Sequence, residues 1–245
     1  MHSMKVIVLG TGAIGAYYGG QLARAGHEVT CFARGANLAA IQERGLEIRT
    51  PEGAFRARVT STDRAEALRP ADFAILAVKS YSLVDIAPLA RGCAEQGTTL
   101  LPLLNGVETV ESLAQLGVAP AAVVGGLTTI SAVRVAPGVV ERRSPFQIVV
   151  VGELDGLISD RVDRIAGASE TPGWTPGRPI GSRWSCGRSS SFLQAQRRRA
   201  GSPAPPLGRC GPIPWGGACC DAQSRKSLPS RAHAASASPT GRSRA

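Results

Sequence analysis

The chain has 245 residues, of which 43% are hydrophobic and 19% charged, values that are ordinary for a soluble globular protein of one or two domains. No stretch comes near the ~20 consecutive apolar residues of a membrane-spanning helix, which excludes an integral membrane protein of that kind. The formal net charge of +10 is confined to residues 169–245, since residues 1–168 carry 16 basic and 16 acidic side chains.

The first predicted unit is a strand, a glycine turn and a helix. Val6–Leu9 is a fully apolar run of strand length, which is typical of a central parallel strand buried on both faces. It ends at Gly10, and a helix is expected from about 13 to 25. Gly26 and His27 end that helix, and residues 28–33 are predicted to form the second strand.

The same alternation continues through the middle of the chain. Strands are predicted at 73–78 and 98–101, and helices near 83–91 and 107–116. Strands that alternate with helices in this way predict an α/β fold of the Rossmann type, a doubly wound parallel sheet whose crossovers are right-handed.

From residue 121 the pattern changes to short apolar segments. These segments are 123–124, 127–135, 139–142 and 147–151, with Pro137 and Gly138 as a turn signal between two of them. We interpret them as short antiparallel strands that close the edge of the sheet. The apolar spacing in 156–168 then predicts the start of a long helix.

The helical pattern stops at Ser169. Residues 169–245 contain 10 Gly, 10 Pro and 13 Ser but no Val or Tyr, so they offer too little apolar surface to offset the cost of ordering a chain. We therefore expect a Rossmann domain at 4–168 and a basic, disordered tail at 169–245. If the gene truly encodes this tail, we expect the tail to bind nucleic acid or anionic surfaces without sequence preference.

Cysteine usage and the N-terminus give no sign of a metal site or an export signal. Four of the six cysteines lie in the tail at spacings that match no zinc pattern, so no metal is expected, while Cys31 and Cys93 are expected to be ordinary buried thiols. The only apolar run before Gly10 is Val6–Leu9, which is far shorter than the hydrophobic region of a signal peptide. The expected location is the cytoplasm.

The segment Gly10-Thr11-Gly12-Ala13-Ile14-Gly15 matches the dinucleotide-binding pattern GxGxxG between a strand and a helix. In that pattern the first glycine allows the tight turn, the second admits the pyrophosphate and the third lets helix and strand pack closely. The phosphates then meet the free amides at the positive end of the helix dipole. The alternative is a glycine-rich structural turn without a ligand.

Three further residues follow predicted sheet strands. An NAD site carries Asp or Glu at the end of the second strand, whereas here Arg34 takes that place, which favours the 2′-phosphate of NADP. Arg34 could instead be a solvated surface charge. Lys79 follows the strand at 73–78, where it could neutralise phosphate, and Asn105 follows the next strand. From the residues alone, Asn105 is as well explained as a turn or N-cap residue as it is as a catalytic residue.

Taken together, these motifs resemble the ketopantoate reductase (2-dehydropantoate 2-reductase) family over about residues 4–168. The matching segments are, in order, Gly10–Gly15, Ala25–Val29, Ala77–Lys79, Leu104–Glu108 and Gly126–Thr129. The resemblance implies NADPH-dependent reduction of ketopantoate to pantoate. It also implies that Gly10–Gly15, Arg34, Lys79, Asn105 and Ala132 contact the cofactor and that Asn105 contacts the substrate.

Members of that family continue into a helical C-terminal domain that supplies a catalytic lysine, and no residue of the tail matches that lysine. The tail has the composition of a GC-rich gene translated out of frame. Read one frame over, Arg183–Gln194 is compatible with E-V-E-L-W-E-K-F-V-x-L-A, which resembles the family segment around the lysine, whose codon would straddle Arg188 and Ser189. The sequence therefore predicts a frameshift near Ala168.

Two other functions stay open on the sequence. One is a relative that acts on another 2-keto or 3-hydroxy acid, because substrate choice lies partly in the missing domain. The other is a non-catalytic NADP-binding module with a basic tail that associates with nucleic acid.

Overall fold

The computed structural model describes residues 3–104, 108–168 and 174–177. The helices in these residues are α1 (Ala13–Arg24), α2 (Gly35–Arg44), α3 (Leu83–Glu95), α4 (Thr109–Gln115) and α5 (Asp160–Ala166). The strands are β1 (Lys5–Leu9), β2 (Glu28–Phe32), β3 (Leu46–Thr50), β4 (Gly53–Ala57), β5 (Thr60–Thr62), β6 (Phe73–Leu76), β7 (Thr99–Pro102), β8 (Gly125–Thr129), β9 (Ala132–Ala136), β10 (Val139–Arg142), β11 (Ile148–Gly152) and β12 (Trp174–Pro176). Short 3-10 turns lie at Ala65–Ala67, Ser80–Ser82 and Pro120–Ala122.

A five-stranded parallel sheet forms the centre of the fold. Its strand order is β5-β2-β1-β6-β7, and β1 lies between β2 and β6, with Val8 opposite both Cys31 and Ile75. The chain thus starts in the middle of the sheet and runs first to one edge and then to the other. This arrangement confirms the predicted Rossmann-type fold.

Strand β1 is buried on both faces, as its uninterrupted apolar run predicts. Val6 and Val8 pack in a core with α1, whereas Ile7 and Leu9 pack in a second core with α3. Because successive side chains of a strand point to opposite faces, one apolar run supplies both cores.

The short segments after residue 121 do form antiparallel strands, as predicted, but they lie in two further sheets and do not close the edge of the parallel sheet, so that part of the prediction was wrong. Strands β9 and β10 form an antiparallel hairpin around Pro137 and Gly138, and β10 then pairs in parallel with β3 in a four-stranded sheet, β4-β3-β10-β9. Strands β8 and β11 form a three-stranded sheet with β12. A single bridge between Leu100 and Val123 adds to the parallel sheet. Strand β4 covers one edge of β3, and the hairpin pairs through β10 with the other edge.

Helix α1 packs between the parallel sheet and the four-stranded sheet. On one side Gly19 lies against β1, where a Cβ atom would come within 3.2 Å of Val8 Cγ2. On the other side a Cβ at Gly20 would come within 2.7 Å of Ile48 Cγ1 on β3. The paired glycines therefore let both sheets approach the helix closely.

The last described helix is shorter than predicted. Helix α5 begins at Asp160 because Ser159 caps it, its hydroxyl oxygen accepting from the backbone N–H of Val162. Leu157 and Ile158, which the prediction placed in the helix, precede the cap and are exposed. The prediction that all residues after 168 are disordered is wrong for residues 174–176, because they form β12, which pairs in parallel with β11.

Several predictions concern residues outside the described ranges. Asn105, the four tail cysteines, and the disorder predicted for most of the tail all lie there, so these stay predictions. Within the described ranges, Cys31 and Cys93 are buried free thiols, as expected, and burial raises the pKa of both. No helix in those ranges has the length and apolar character that crossing a membrane requires.

Candidate functional site

The first and last glycines of the motif are required by the backbone itself. Gly10 has a φ of +101°, and a Cβ there would lie 2.5 Å from Val78 Cγ1 and 2.9 Å from the Ala77 carbonyl oxygen. A Cβ at Gly15 would lie 2.1 Å from the Gly10 carbonyl oxygen. These two positions let the turn pack against the end of β6, as the motif predicts.

Gly12 is different, because the protein leaves space beside it. Among the described residues, a Cβ at Gly12 would meet only the Ala77 carbonyl oxygen, at 3.9 Å. Its φ of −72° is open to any residue, so neither local strain nor crowding within the chain explains the glycine. A side chain at this position would instead occupy the open space in front of the helix N-terminus.

The N-terminus of α1 faces that space with features that favour an anion. Gly12 is the N-cap and has no side chain to accept from the first amides, and the first turn of this 12-residue helix contains no acidic residue. Ala13 and Ile14, the next residues of the motif, are partly exposed there. Free amides at the positive end of a helix dipole bind phosphate groups well.

Arg34 lies at the carboxyl end of the neighbouring strand β2. It is the N-cap of α2 and is exposed, and its guanidinium carbon lies 5.4 Å from the centroid of the Phe32 ring. The ring face limits the directions that the guanidinium can take while its donors stay in solvent. A guanidinium placed in this way suits a phosphate group.

Lys79 lies at the carboxyl end of β6, on the other side of β1. It is exposed and caps the 3-10 turn Ser80–Ser82. Because Gly10 packs on Ala77 and Val78, the glycine turn lies against the residues that immediately precede Lys79. The structure thus brings Gly10–Gly15, Arg34 and Lys79 to the same edge of three adjacent strands, where ligands of open α/β sheets bind.

The other two predicted site residues do not follow β1, β2 or β6. Asn105 lies outside the described residues, three positions after β7 ends at Pro102. Ala132 begins β9, the edge strand of the four-stranded sheet, and β9 contacts α1, the helix that carries the glycine motif.

A half-open cavity of about 280 Å³ lies close to Lys79 in the chain. Its walls come from the residues that follow Lys79, including Tyr81 and Val84, and from the start of α4, including Glu108. Tyr81 is 81% exposed, so this wall is open to solvent. The cavity thus combines apolar and polar surface at the carboxyl ends of β6 and β7.

Two buried tyrosines fix the helix that carries the motif. The hydroxyl of Tyr18 lies 2.6 Å from the Thr128 hydroxyl on β8, and the hydroxyl of Tyr17 donates to Gln147 and accepts from Gln21 at 2.9 Å. Burial raises the pKa of both phenols, so both remain neutral near pH 7. These contacts hold α1 against the second half of the described chain.

Asn37, in the first turn of α2, is a site residue that the sequence reasoning missed. Its side-chain amide donates to the Thr11 hydroxyl at 2.9 Å and to the Thr11 carbonyl oxygen at 3.1 Å. Its carbonyl oxygen accepts from the backbone N–H of Gly138 at 2.8 Å. The available signal was a polar residue in an otherwise apolar segment, one turn after Arg34, but α2 itself was not predicted.

Comparison with known proteins identifies relatives of this chain. The family model for ketopantoate reductase PanE/ApbA matches residues 6–156. The chain is 40% identical over 142 residues to the 2-dehydropantoate 2-reductase of Pyrococcus horikoshii, a match that covers 57% of this chain and 44% of that protein. It is 33% identical over 174 residues to the corresponding protein of Halobacterium salinarum, covering 69% of this chain and 56% of that protein.

Comparison of the fold with solved structures gives a protein of the same name. The crystal structure of 2-dehydropantoate 2-reductase from Porphyromonas gingivalis matches with a TM-score of 0.63 and 30% identity, over 68% of this chain and 61% of that one. The chain therefore spans about half the length of the relatives it matches. The family model nonetheless covers more than half of this chain, and its match includes the glycine turn, Arg34 and Lys79. On this evidence the chain belongs to the ketopantoate reductase family.

Proposed function

We propose that the carboxyl edge of the parallel sheet binds NADP(H). The observation that carries this proposal is the open space in front of Gly12, at an α1 N-terminus without an acidic residue. A pyrophosphate would lie against the amides of Gly12–Gly15, and its adjacent ribose would reach the end of β2. Arg34 would hold the 2′-phosphate that distinguishes NADP from NAD, and Lys79 would add positive charge from β6.

We further propose that the reaction served by this site is the reduction of 2-dehydropantoate to pantoate. The family is one of oxidoreductases, and the relatives above carry this reaction in their names. The bound nicotinamide would supply the hydride. In the matching family positions, Asn105 would contact both cofactor and substrate, and Ala132 would contact the cofactor.

We propose that the tail holds no counterpart of the family's catalytic lysine because it is read out of frame from about Ala168. The composition of 169–245 supports this, since that segment carries all the excess positive charge and contains no Val or Tyr. In the restored frame, the lysine codon would straddle Arg188 and Ser189.

Two proteins test these three proposals, namely the 245-residue chain and a version with the reading frame restored after Ala168. Fluorescence titration measures NADPH and NADH binding, and the fall in NADPH absorbance with 2-dehydropantoate measures turnover. We expect both proteins to bind NADPH more tightly than NADH, and only the restored protein to turn over.

Each other result has a distinct meaning. Equal turnover by both proteins would contradict the out-of-frame tail, and so would resequencing that finds no overlapping helical frame. Binding without turnover in either protein would favour a related 2-keto or 3-hydroxy acid substrate or a non-catalytic NADP-binding module. Tighter binding of NADH would contradict the role given to Arg34.

A further inference from the structure

We propose that Asn37 is a positioning residue that sets the orientation of the Thr11–Gly12 peptide for the dinucleotide. This inference rests on the proposed cofactor site. It assigns to Asn37 no contact with the cofactor itself, since its side chain is 9% exposed and makes its hydrogen bonds to the protein.

The argument begins with the direction of the Thr11 carbonyl. That oxygen accepts from Asn37 Nδ2 at 3.1 Å, so it faces α2. In a trans peptide the N–H lies opposite the C=O, and this peptide is trans. The Gly12 N–H therefore points to the side opposite the Thr11 carbonyl, away from Asn37.

The Thr11 side chain holds the same peptide from a second direction. Asn37 Nδ2 donates to the Thr11 hydroxyl oxygen at 2.9 Å, and that hydroxyl in turn donates to the Phe32 carbonyl oxygen at 3.4 Å, at the end of β2. Thr11 is buried, so solvent does not compete strongly for these bonds. The turn between β1 and α1 is thereby attached to the strand that leads to Arg34.

Asn37 is itself fixed by a third segment. Its Oδ1 accepts from the Gly138 N–H at 2.8 Å, in the turn between β9 and β10. Gly138 packs on α2, where a Cβ would lie 3.4 Å from Ala40 Cβ. A side chain held at both ends can resist rotation of the Thr11–Gly12 peptide, which an unsupported glycine turn would allow.

Three variants of the full-length chain test this role: Asn37→Ala, the isosteric Asn37→Asp, and Gln42→Ala as a matched control. Gln42 lies on the same helix and donates to the Ser61 carbonyl oxygen at 3.2 Å, in an exposed contact away from the glycine turn. The measurements are the Kd values for NADPH and NADH by fluorescence titration and the Tm of each protein. Titrations are made well below the lowest Tm.

We expect Asn37→Ala to raise the Kd values for NADPH and NADH by the same factor, about tenfold, because the pyrophosphate is common to both cofactors. Asn37→Asp keeps the acceptor for Gly138 but places an oxygen opposite both Thr11 oxygens, so it should weaken binding at least as much. Gln42→Ala should leave both Kd values unchanged.

A purely structural role would lower the Tm of the Asn37 variants and leave their Kd values at the wild-type level, which would overturn the inference. If neither Asn37 variant folds, Thr11→Val removes the buried hydroxyl, and unchanged Kd values for it would overturn the inference equally. A wild-type chain that binds neither cofactor would overturn the proposed site together with this inference.

Discussion

The guanidinium of Arg161 donates two hydrogen bonds to the carboxylate of Glu153, each with a nitrogen–oxygen distance of 2.6 Å. The hydroxyl of Ser159, the N-cap of α5, donates to the same carboxylate at 2.5 Å. Glu153 directly follows β11 and is buried, so this pair attaches α5 to the end of a strand. The hydrogen bonds from Arg161 hold the pKa of Glu153 below its ordinary value.

Replacing Glu153 with Gln should lower the free energy of unfolding by about 1–3 kcal/mol at pH 7, because it leaves the guanidinium with a neutral acceptor. Since folding lowers the pKa of Glu153, its contribution is complete above the unfolded value near 4.5 and is lost as the pH falls through the folded value. Urea denaturation between pH 3 and 7 measures this difference.

The control for that series is Glu95→Gln. Glu95 lies 3.7 Å from Arg91, and both side chains are more than half exposed, so this change should cost little at any pH. A difference between wild type and Glu153→Gln that stays constant down to pH 3 would contradict the proposed ionic contribution.

Gly12→Ala and Gly15→Ala should separate binding from folding. A Cβ at Gly12 finds open space in the chain, so that variant should keep a Tm within a few degrees of wild type and lose most of its NADPH binding. A Cβ at Gly15 would lie 2.1 Å from the Gly10 carbonyl oxygen, so that variant should be clearly destabilised. Thermal melts combined with NADPH titration check both. Retention of full binding by Gly12→Ala would exclude a pyrophosphate at this turn.

Arg34→Gln should weaken NADPH binding by roughly tenfold to a hundredfold and leave NADH binding nearly unchanged, because it removes a charge-assisted contact to the 2′-phosphate only. Arg44→Gln makes the same change of charge in the last turn of the same helix and should alter neither affinity. An equal loss of affinity for NADPH and NADH in Arg34→Gln would show that Arg34 acts on the fold of the turn and does not bind phosphate.

Cys31 should resist alkylation in the native protein. Burial raises its pKa to about 12, so near pH 8 the thiolate is scarce, and the side chain is also closed to solvent. Iodoacetamide at pH 8 followed by mass spectrometry should modify Cys31 only after urea is added. Rapid native modification would mean that β2 opens readily.

Trp174→Ala should lower the free energy of unfolding by about 3–5 kcal/mol. Trp174 is 9% exposed on β12, and its ring meets Tyr18 edge to face, with centroids 5.6 Å apart. Chemical denaturation of the variant measures the cost. A change below about 0.5 kcal/mol would mean that β12 adds nothing to the fold.

The sequence predicted the central sheet well because its strands are buried on both faces. Runs such as Val6–Leu9 need no partner to be recognised, and turn glycines mark their ends. The segment 35–62 was not predicted, since α2 and β3–β5 are short and partly exposed and therefore carry weak apolar periodicity. The hairpin around Gly138 was placed on the wrong sheet for the same reason, because its partner β3 had not been recognised.

Prediction of the candidate site followed a similar division. The sequence singled out Gly10–Gly15, Arg34 and Lys79 because each follows a strand of the parallel sheet, and the topology brings these strand ends together. Asn37 could not be found, because its role depends on contacts with Thr11 and Gly138, which lie 26 and 101 residues away. Spacing within one segment cannot reveal such contacts.

The division of β1 between two cores has a consequence for how the molecule opens. Val6 and Val8 serve the core with α1, and Ile7 and Leu9 serve the core with α3, so neither core can be lost while β1 stays protected. The amides of β1 should therefore exchange with deuterium only by global unfolding, more slowly than those of the edge strands. The glycine turn begins where this strand ends, so one of its two ends stays fixed for as long as the chain is folded.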